Sequence, residues 1–252
     1  MILNSIRAAK VKFGPEYGEL VIAMDSREGY WRRDVFPYYK AKRKEGRDAS
    51  DINWPQVFEA FNQIKQELEE YFPYKTIKIK GAEADDIIAV LTKKYHSQGV
   101  LILANDHDFI QLHKFPNVKQ WNPVMKKWIR EKDPERYLQE HILRGDRGDG
   151  IPSVREADNT LVIESTGRRA PISKKMIDTW LAGNDTKLTM NAELYRNWIR
   201  NRELIDFEYI PEHISDQILN AYENHPTPDR SRLFGYFIQH RLRNLMPQIS
   251  DF

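Results

Sequence analysis

The sequence predicts an α/β fold, a parallel sheet flanked by helices and followed by a helical lobe, on three observations. Short apolar runs at Glu19 to Met24, Thr76 to Lys80 and Val100 to Ala104 alternate with segments of helical length, the pattern of a parallel sheet with crossover helices. From Asp133 onward helical periodicity dominates. Acidic residues stand where strands end: Asp25 after the first, Asp106 and Asp108 after the third, and Glu83, Asp85 and Asp86 opening the helix after the second. Functional groups in parallel α/β sheets gather at the carboxyl ends of the strands, so these three groups are expected along one edge.

Each element has its own warrant. Ile2, Ile6, Ala9 and Phe13 recur at helical spacing, which predicts a helix from almost Met1. The run from Glu19 to Met24 is a buried strand closed by Asp25. Ser26 to Ser50 is polar, basic and aromatic, without clean periodicity. Trp54 to Phe72 is a helix with Val57, Phe58, Phe61, Ile64, Leu68 and Phe72 expected inward. After the alternating strand Thr76 to Lys80, Gly81 turns the chain into a helix from Ala82 to Tyr95 with Ile87, Ile88, Val90 and Leu91 inward. Val100 to Ala104 is the most strand-like segment, and Val118 to Trp121 with Lys126 to Ile129 predict a hairpin around Asn122-Pro123. Helices follow at Pro134 to Leu143, Ser173 to Ala182, Met190 to Asn201, Glu212 to Glu223 and Arg230 to Arg243. The expected division is an α/β domain over 1–130, with a basic segment over 26–50, and a helical domain over 131–252.

Composition narrows the function. The chain has 252 residues, a formal net charge of +2 and no cysteine, so a disulfide frame, a thiolate zinc site and a cysteine nucleophile are excluded. No apolar run approaches the ~18 residues of a membrane span, and the first residues lack the apolar core of a secretory signal. The expected setting is the cytoplasm. Charge is uneven: Trp31 to Arg47 holds seven Lys or Arg against Asp34 and Glu45, a local excess that can neutralise phosphates.

Four motifs carry chemistry. In GAEADDIIAVL, one acid would suffice to cap the helix, whereas Glu83, Asp85 and Asp86 together repel one another and call for a cation. LILANDHDF places Asp106 and Asp108 two apart after a strand, with His107 a loop residue rather than a ligand. All-oxygen ligands suit hard divalent cations such as magnesium or manganese, and a converging set would serve two-metal phosphodiester cleavage. In GYWRRDVFPYYKAKRKEGR, Tyr30, Trp31, Phe36, Tyr38 and Tyr39 alternate with cations, the logic of stacking on unpaired bases while cations hold the backbone. LRGDRGDGIPSV sets Gly145, Gly148 and Gly150 around Asp146 and Asp149, either a simple turn between helices or one whose backbone N–H groups hold a phosphate.

Taken together, MDSREGYWRRDVFPYYKAKR, GAEADDIIAVL, LANDHDFIQL and GDRGDGIPSV resemble, in order and spacing, the 5′-nuclease (flap endonuclease) superfamily. HKFPNVKQWNPVMKKW and YIPEHISDQI are most similar to its T-even bacteriophage ribonuclease H branch. The resemblance runs from Ile2 to Phe252. It implies a 5′-nuclease fold with a helix-turn-helix type duplex-binding motif in the helical domain. It implies two Mg2+ ions, replaceable by Mn2+, held by Asp25, Glu83, Asp85, Asp106 and Asp108, with Asp86 an additional acid, Asp146 from the helix-turn-helix motif and Asp149 facing the second ion. It assigns Lys40, with Tyr39 and Arg43, to the scissile phosphate. Nucleic-acid contacts are expected from Arg32, Arg33, Lys40, Lys42, Arg43, Lys44, Gly148, Gly150 and Ser153. The implied activity is removal of RNA primers in phage DNA replication, with 5′-exonuclease and flap cleavage of DNA and of RNA/DNA duplexes. The implied partners are those nucleic acids and the single-stranded-DNA-binding protein; there is no membrane partner, and the default state is a monomer in the host cytoplasm.

The sequence departs from the family at three places. Relatives begin with a strand that carries an Asp into the metal site, about 40 residues ahead of this Met1, so the resemblance implies an N-terminally truncated nuclease domain with unpaired sheet edges. Gly150 stands where relatives often have Asn. Arg155 to Pro171 lacks a compact Gly-hairpin-Gly pattern, although Arg168 and Arg169 could contact phosphate. The rival expectation is a catalytically impaired homologue that only binds branched nucleic acid. A PIN-type ribonuclease shares acidic α/β clefts but leaves GDRGDGIPSV and the long helical tail unexplained.

Overall fold

A computed structural model describes residues 1–26, 28–163, 171–182, 189–226 and 229–252. Arg168 and Arg169 lie outside them. Helix α1 (Ile2–Tyr17) precedes β1 (Val21–Met24). Two short helices, α2 (Arg32–Val35) and α3 (Arg43–Asp48), interrupt the basic stretch, where no periodicity predicts them. Then come α4 (Trp54–Tyr71), β2 (Lys75–Lys78), α5 (Ala84–Tyr95) and β3 (Val100–Leu103). A 3-10 segment over Asp108–Lys114 leads to β4 (Val118–Asn122) and β5 (Lys127–Ile129). The remaining described helices are α6 (Pro134–Arg144), α7 (Lys174–Trp180), α8 (Ala192–Ile205), α9 (Glu212–Glu223) and α10 (Leu233–Gln239).

Caps explain where the helices start. Asn53, Asp133, Ser173 and Asn191 each accept a backbone N–H from the first turn that follows, relieving donors that have no partner inside the helix. Helix α5 starts on a reciprocal capping box in which Glu83 and Asp86 each take the other's backbone N–H.

The parallel arrangement is present, in two pieces. β1 pairs parallel with β2, and β3 pairs parallel with β4, which carries β5 antiparallel. Among the described residues β1 and β3 share no ladder. Between them lies a slot of about 670 Å³ flanked by Val21, Ala23, Ile88, Leu91, Leu101 and Leu103. The half-buried state of Ile88 and Leu91, expected inward, follows from this slot. The Val100 and Ala104 amides donate across to Asn117 and Trp121, so by alternation the Leu101 and Leu103 amides face the slot. Amide exchange followed by NMR is expected to find Ile102 and Ala104 protected and Leu101 and Leu103 exchanging at least about a hundredfold faster. Equal protection of all four would mean that the slot is closed in solution.

Three cores hold the molecule. Ile77, Ile87, Ile102, Phe109 and Leu112 pack with Ile214 and Ile218 of α9. Phe36 and Tyr39 join Ile142, Leu143, Ile151, Ile177 and Trp198. Leu3, Met24, Leu68 and Phe72 surround Phe237 and Phe252. The chain after Phe207 therefore returns to the sheet half, and α6, α7 and α8 form the other lobe with the basic segment.

Several burial expectations are corrected. Ile2 is exposed and Leu3 takes its place. Phe58 and Phe61, expected inward on α4, are exposed; only the C-terminal part of that helix meets the core, through Leu68. Helix α10 is shorter than the predicted Arg230 to Arg243. After α6 the described chain runs in turns to residue 163, and the next described helix is α7, so no helix directly follows the glycine turn among these residues.

Candidate metal centre and nucleic-acid interface

The acidic segments do meet. One cleft is lined by Glu83, Asp85, Asp108, Asp146 and Asp149, with Arg32 and Tyr39. Asp25 borders it, its Oδ1 accepting the Ala84 N–H at 2.9 Å and tying the end of β1 to the start of α5. Asp106 accepts the Asp108 N–H at 2.9 Å across a tight turn, and its charge acts on both Asp85 and Asp108. Sheet, α5 and the turn after α6 thus each deliver carboxylates to one place.

Not all of them are free. Asp86 is fully buried, with Trp31 Nε1 at 3.1 Å, the Glu83 N–H at 2.9 Å and Arg32 at 2.8 Å. Its expected place among the metal ligands is corrected: it caps α5 and anchors Arg32. Arg32, expected on nucleic acid, is buried too, bonding Glu83 at 3.0 Å and the Leu204 carbonyl at 2.8 Å. Burial works against its charge, but Asp86 and Glu83 outweigh it and hold its pKa above the ordinary value. Glu83 also pairs with Lys40 and lies 2.7 Å from the Tyr39 hydroxyl. Lys40 is buried, with Asp149 at 3.3 Å, and Arg43 reaches Asp149 at 2.6 Å. Burial likewise opposes the Lys40 charge, and Asp149 and Glu83 keep its pKa raised.

The basic segment is therefore only partly an open surface. Trp31, Phe36 and Tyr39 are core residues, which corrects the stacking expectation for them. Arg33, Lys42, Arg43 and Lys44 are exposed and remain available to phosphates. Lys40 takes a left-handed backbone (φ 56°), uncommon for a residue with a Cβ. It is held there by its N–H on the Asp149 carbonyl at 2.7 Å and by its ion pairs.

That contact docks the glycine turn onto the basic segment. Gly145 has φ +67°, and a Cβ there would stand 2.4 Å from the Ile151 carbonyl oxygen, so only glycine closes the bridge between Asp146 and Ile151. At Gly150 (φ +76°) a Cβ would meet the Tyr38 carbonyl at 3.0 Å. Ser153, expected on nucleic acid, is buried and its N–H bonds Glu156; that expectation is corrected. Gly148 is exposed. Helix α8 braces the turn from behind, with Asn201 Nδ2 donating to the Ile142 and Pro152 carbonyls. No sequence signal marks Asn201 for this task.

One site residue escapes sequence reasoning altogether. His141, in the last turn of α6, places Nε2 3.2 Å from Asp146 and Nδ1 3.5 Å from Asp108. Asp108, His141 and Asp146 offer ligand atoms within 4.8 Å of one another. The only available signal is a histidine five residues before the first Asp of the turn. Asp108, Asp146 and His141 thus fit a divalent cation, and Asp25, Asp85 and Asp106 add carboxylates that no cation among the described residues neutralises by contact.

The electrostatics say the same. Burial, then repulsion by Asp106 and Glu83, pushes Asp85 up to about 7. Burial pushes Asp108 up to about 7 as well, with His141 pulling against it and Asp106 and Asp146 adding. The His141 hydrogen bond holds Asp146 below its ordinary value. His141 is raised, its carboxylate neighbours outweighing burial. A carboxyl whose folded pKa is raised contributes stability that is complete below its unfolded pKa and lost as pH rises through the folded one. Without divalent cations, melting is expected at lower temperature at pH 8 than at pH 5. Asp85→Asn should recover on the order of 2 kcal/mol at pH 8 and little at pH 5. Mg2+ should shrink the gap, and scanning calorimetry at both pH values checks it.

Comparison with known proteins places the chain. Residues 1–142 match the family described as 5′-3′ exonuclease, N-terminal resolvase-like domain, and residues 133–252 match T4 RNase H, C terminal. Ribonuclease H of Enterobacteria phage T4 is 37% identical over 260 residues, covering 100% of this chain and 85% of that protein. A 5′-3′ exonuclease of Buchnera aphidicola (Schizaphis graminum) is 30% identical over 145 residues, 54% of this chain and 48% of that one. Among solved structures, the T5 D15 protein co-crystallised with metal ions superposes with TM-score 0.63 at 18% identity, covering 88% of this chain and 92% of that one. The T5 D15 flap endonuclease in a pseudo-enzyme-product complex with DNA and metal ions gives 0.60 at 18%, covering 87% and 89%.

Proposed function

Since the chain belongs to the 5′-3′ exonuclease family, with a T4 RNase H type C-terminal domain, we propose that it is a divalent-cation-dependent 5′-nuclease acting on RNA/DNA and DNA duplexes with 5′ ends or flaps. Its role is removal of RNA primers during phage DNA replication in the host cytoplasm. The observation that carries this reading is the single cleft where Asp85, Asp108, Asp146 and Asp149 meet opposite Lys40 and Arg43.

We assign Asp25, Asp85, Asp106, Asp108 and Asp146 to holding two Mg2+ ions, replaceable by Mn2+, with Glu83 and Asp149 joining once their protein cations turn to substrate. Such ions, when bound, supply activation of water and stabilisation of negative charge on the oxygens of an in-line displacement. The chain's own groups do the rest. Lys40 and Arg43 exchange Asp149 for the phosphoryl oxygens and neutralise charge there. Arg33, Lys42 and Lys44 hold the backbone, which positions the strand without reading bases. Arg32 keeps Glu83 in place from behind. The protein acts as a monomer, with single-stranded-DNA-binding protein as its partner on the displaced strand. Among the described residues no helix is long and apolar enough to cross a membrane.

One observation favours a second reading. Arg32, Lys40, Tyr39 and Arg43 satisfy Glu83 and Asp149 without any metal, as a protein that binds branched nucleic acid without cutting it would require. A 5′-labelled flap and a nicked RNA/DNA duplex separate the two. The nuclease reading expects short 5′ products with Mg2+ that vanish with chelator; binding without any product in Mg2+ or Mn2+ would establish the second.

A further inference from the structure

Two buried glutamines hold the Asp106–Asp108 loop from behind. Gln120, on β4 and fully buried, donates through Nε2 to the Ala104 carbonyl at 3.1 Å and to the Asp106 carbonyl at 2.6 Å. Its Oε1 faces His113 Nε2 at 3.1 Å. Gln111, also buried, donates through Nε2 to the Asp108 carbonyl at 2.9 Å and to the Ile205 carbonyl at 3.1 Å. Its Oε1 accepts the Phe207 N–H at 2.8 Å. Carbonyl oxygens only accept, so both N–H directions of each amide are fixed. Each glutamine thus places one N–H on the main chain of an acid and the other on a packed part of the fold.

This arrangement separates two tasks. Asp106 and Asp108 lie beyond the end of β3, outside its ladder with β4. Their carboxylates repel each other, so a loop held only by its own turn would spread. A donor to the backbone fixes the loop and leaves the carboxylates to the cleft. A neutral donor does so without competing for them, unlike Arg32, which occupies Glu83. Gln111 also reaches across the molecule. Ile205 and Phe207 line the cleft at the end of α8, and one turn earlier Asn201 of the same helix braces the turn that bears Asp146. Helix α8 is therefore a strut between Asp108 and Asp146.

Resting on the cation-dependent reading above, we propose that Gln111 and Gln120 are positioning residues that set the spacing of the Asp106 and Asp108 carboxylates. Gln120 fixes Asp106 against the sheet, and Gln111 fixes Asp108 against the helical lobe. Losing either loosens the acids without removing a charge. The effect falls on how tightly cations are held and on the chemical step, and not on flap binding, which rests on the exposed cations of the basic segment.

Gln111→Met and Gln120→Met keep the length and the packing and remove the hydrogen bonds. Gln111→Asn and Gln120→Asn, which keep an amide but draw it back by one methylene, replace any methionine variant that does not fold, with the same effects expected. Leu68→Ala, in the core around Phe237, is the control for lost stability alone. Electron paramagnetic resonance, at a temperature where every variant is folded, is expected to show Mn2+ binding weakened about tenfold in each glutamine variant. Single-turnover flap cleavage is expected to fall by about tenfold or more, with flap affinity in Ca2+ within about twofold of wild type. Leu68→Ala should match the wild type in all three. Mn2+ affinity and cleavage within about twofold of wild type, or losses no larger than those of Leu68→Ala, overturn the assignment of the glutamines and leave the nuclease reading standing. A wild type that neither binds Mn2+ nor cuts overturns both.

Discussion

Asp106→Asn is expected to reduce flap cleavage by about a thousandfold or more while leaving binding of the same flap intact. Asp106 is exposed at the cleft's edge, its Oδ1 taken by the Asp108 N–H, and no cation among the described residues is bonded to it. An amide can still accept that N–H, so the turn keeps its shape. What is lost is a negative charge facing the cleft proposed to hold the ions, and a charge of this kind acts on the chemical step far more than on substrate affinity. Single-turnover cleavage in Mg2+ reads the first quantity and anisotropy of a labelled flap in Ca2+ reads the second. Cleavage within about tenfold of wild type would remove Asp106 from the site.

Arg32→Ala is expected to be the most destabilising single change near the cleft, costing about 3–5 kcal/mol. The guanidinium bonds Glu83, Asp86 and the Leu204 carbonyl, and all three side chains are at most 4% exposed. Removing it takes from the buried Asp86 the cation it is paired with and leaves Glu83 paired with Lys40, and a buried charge that loses its partner costs more than the pair contributes. Urea denaturation should show the loss. A double variant, Arg32→Leu with Asp86→Leu, should recover part of it because the buried acid leaves with its partner. If Arg32→Ala melts like the wild type, the buried triad is not holding the base of α5, and the placement of Glu83 needs another explanation.

Much of this was legible in the residue order, and for a physical reason. Strand and helix announce themselves through local periodicity, so α1, β1, α5, β3, the β4–β5 hairpin and α6 need no tertiary information. The accumulation of Asp25, Asp85, Asp106, Asp108, Asp146 and Asp149 at turns was equally visible, because repulsion among carboxylates is a property of composition and spacing. Where the strands paired was not visible. The division into β1–β2 and β3–β4 with a slot between them depends on long-range contacts that no window of sequence contains.

Side-chain fate in the basic segment divides along the same line. Pattern marked Trp31, Phe36 and Tyr39 as aromatics among cations, and marked Arg32 and Lys40 as cations among aromatics. Whether such a residue faces solvent or core depends on what the rest of the chain places against it. Here Glu83, Asp86 and Asp149 arrive from 43 to 110 positions away and draw Arg32 and Lys40 inward, while the helical lobe covers Phe36 and Tyr39. Asp86 changed from ligand to anchor for the same reason. His141 is the clearest case: nothing in its neighbourhood along the chain distinguishes it, and only the fold sets one ring nitrogen against Asp108 and the other against Asp146. Local periodicity and charge spacing are short-range quantities and can be read in order; burial and ion pairing are sums over neighbours brought from afar, and three dimensions alone decide them.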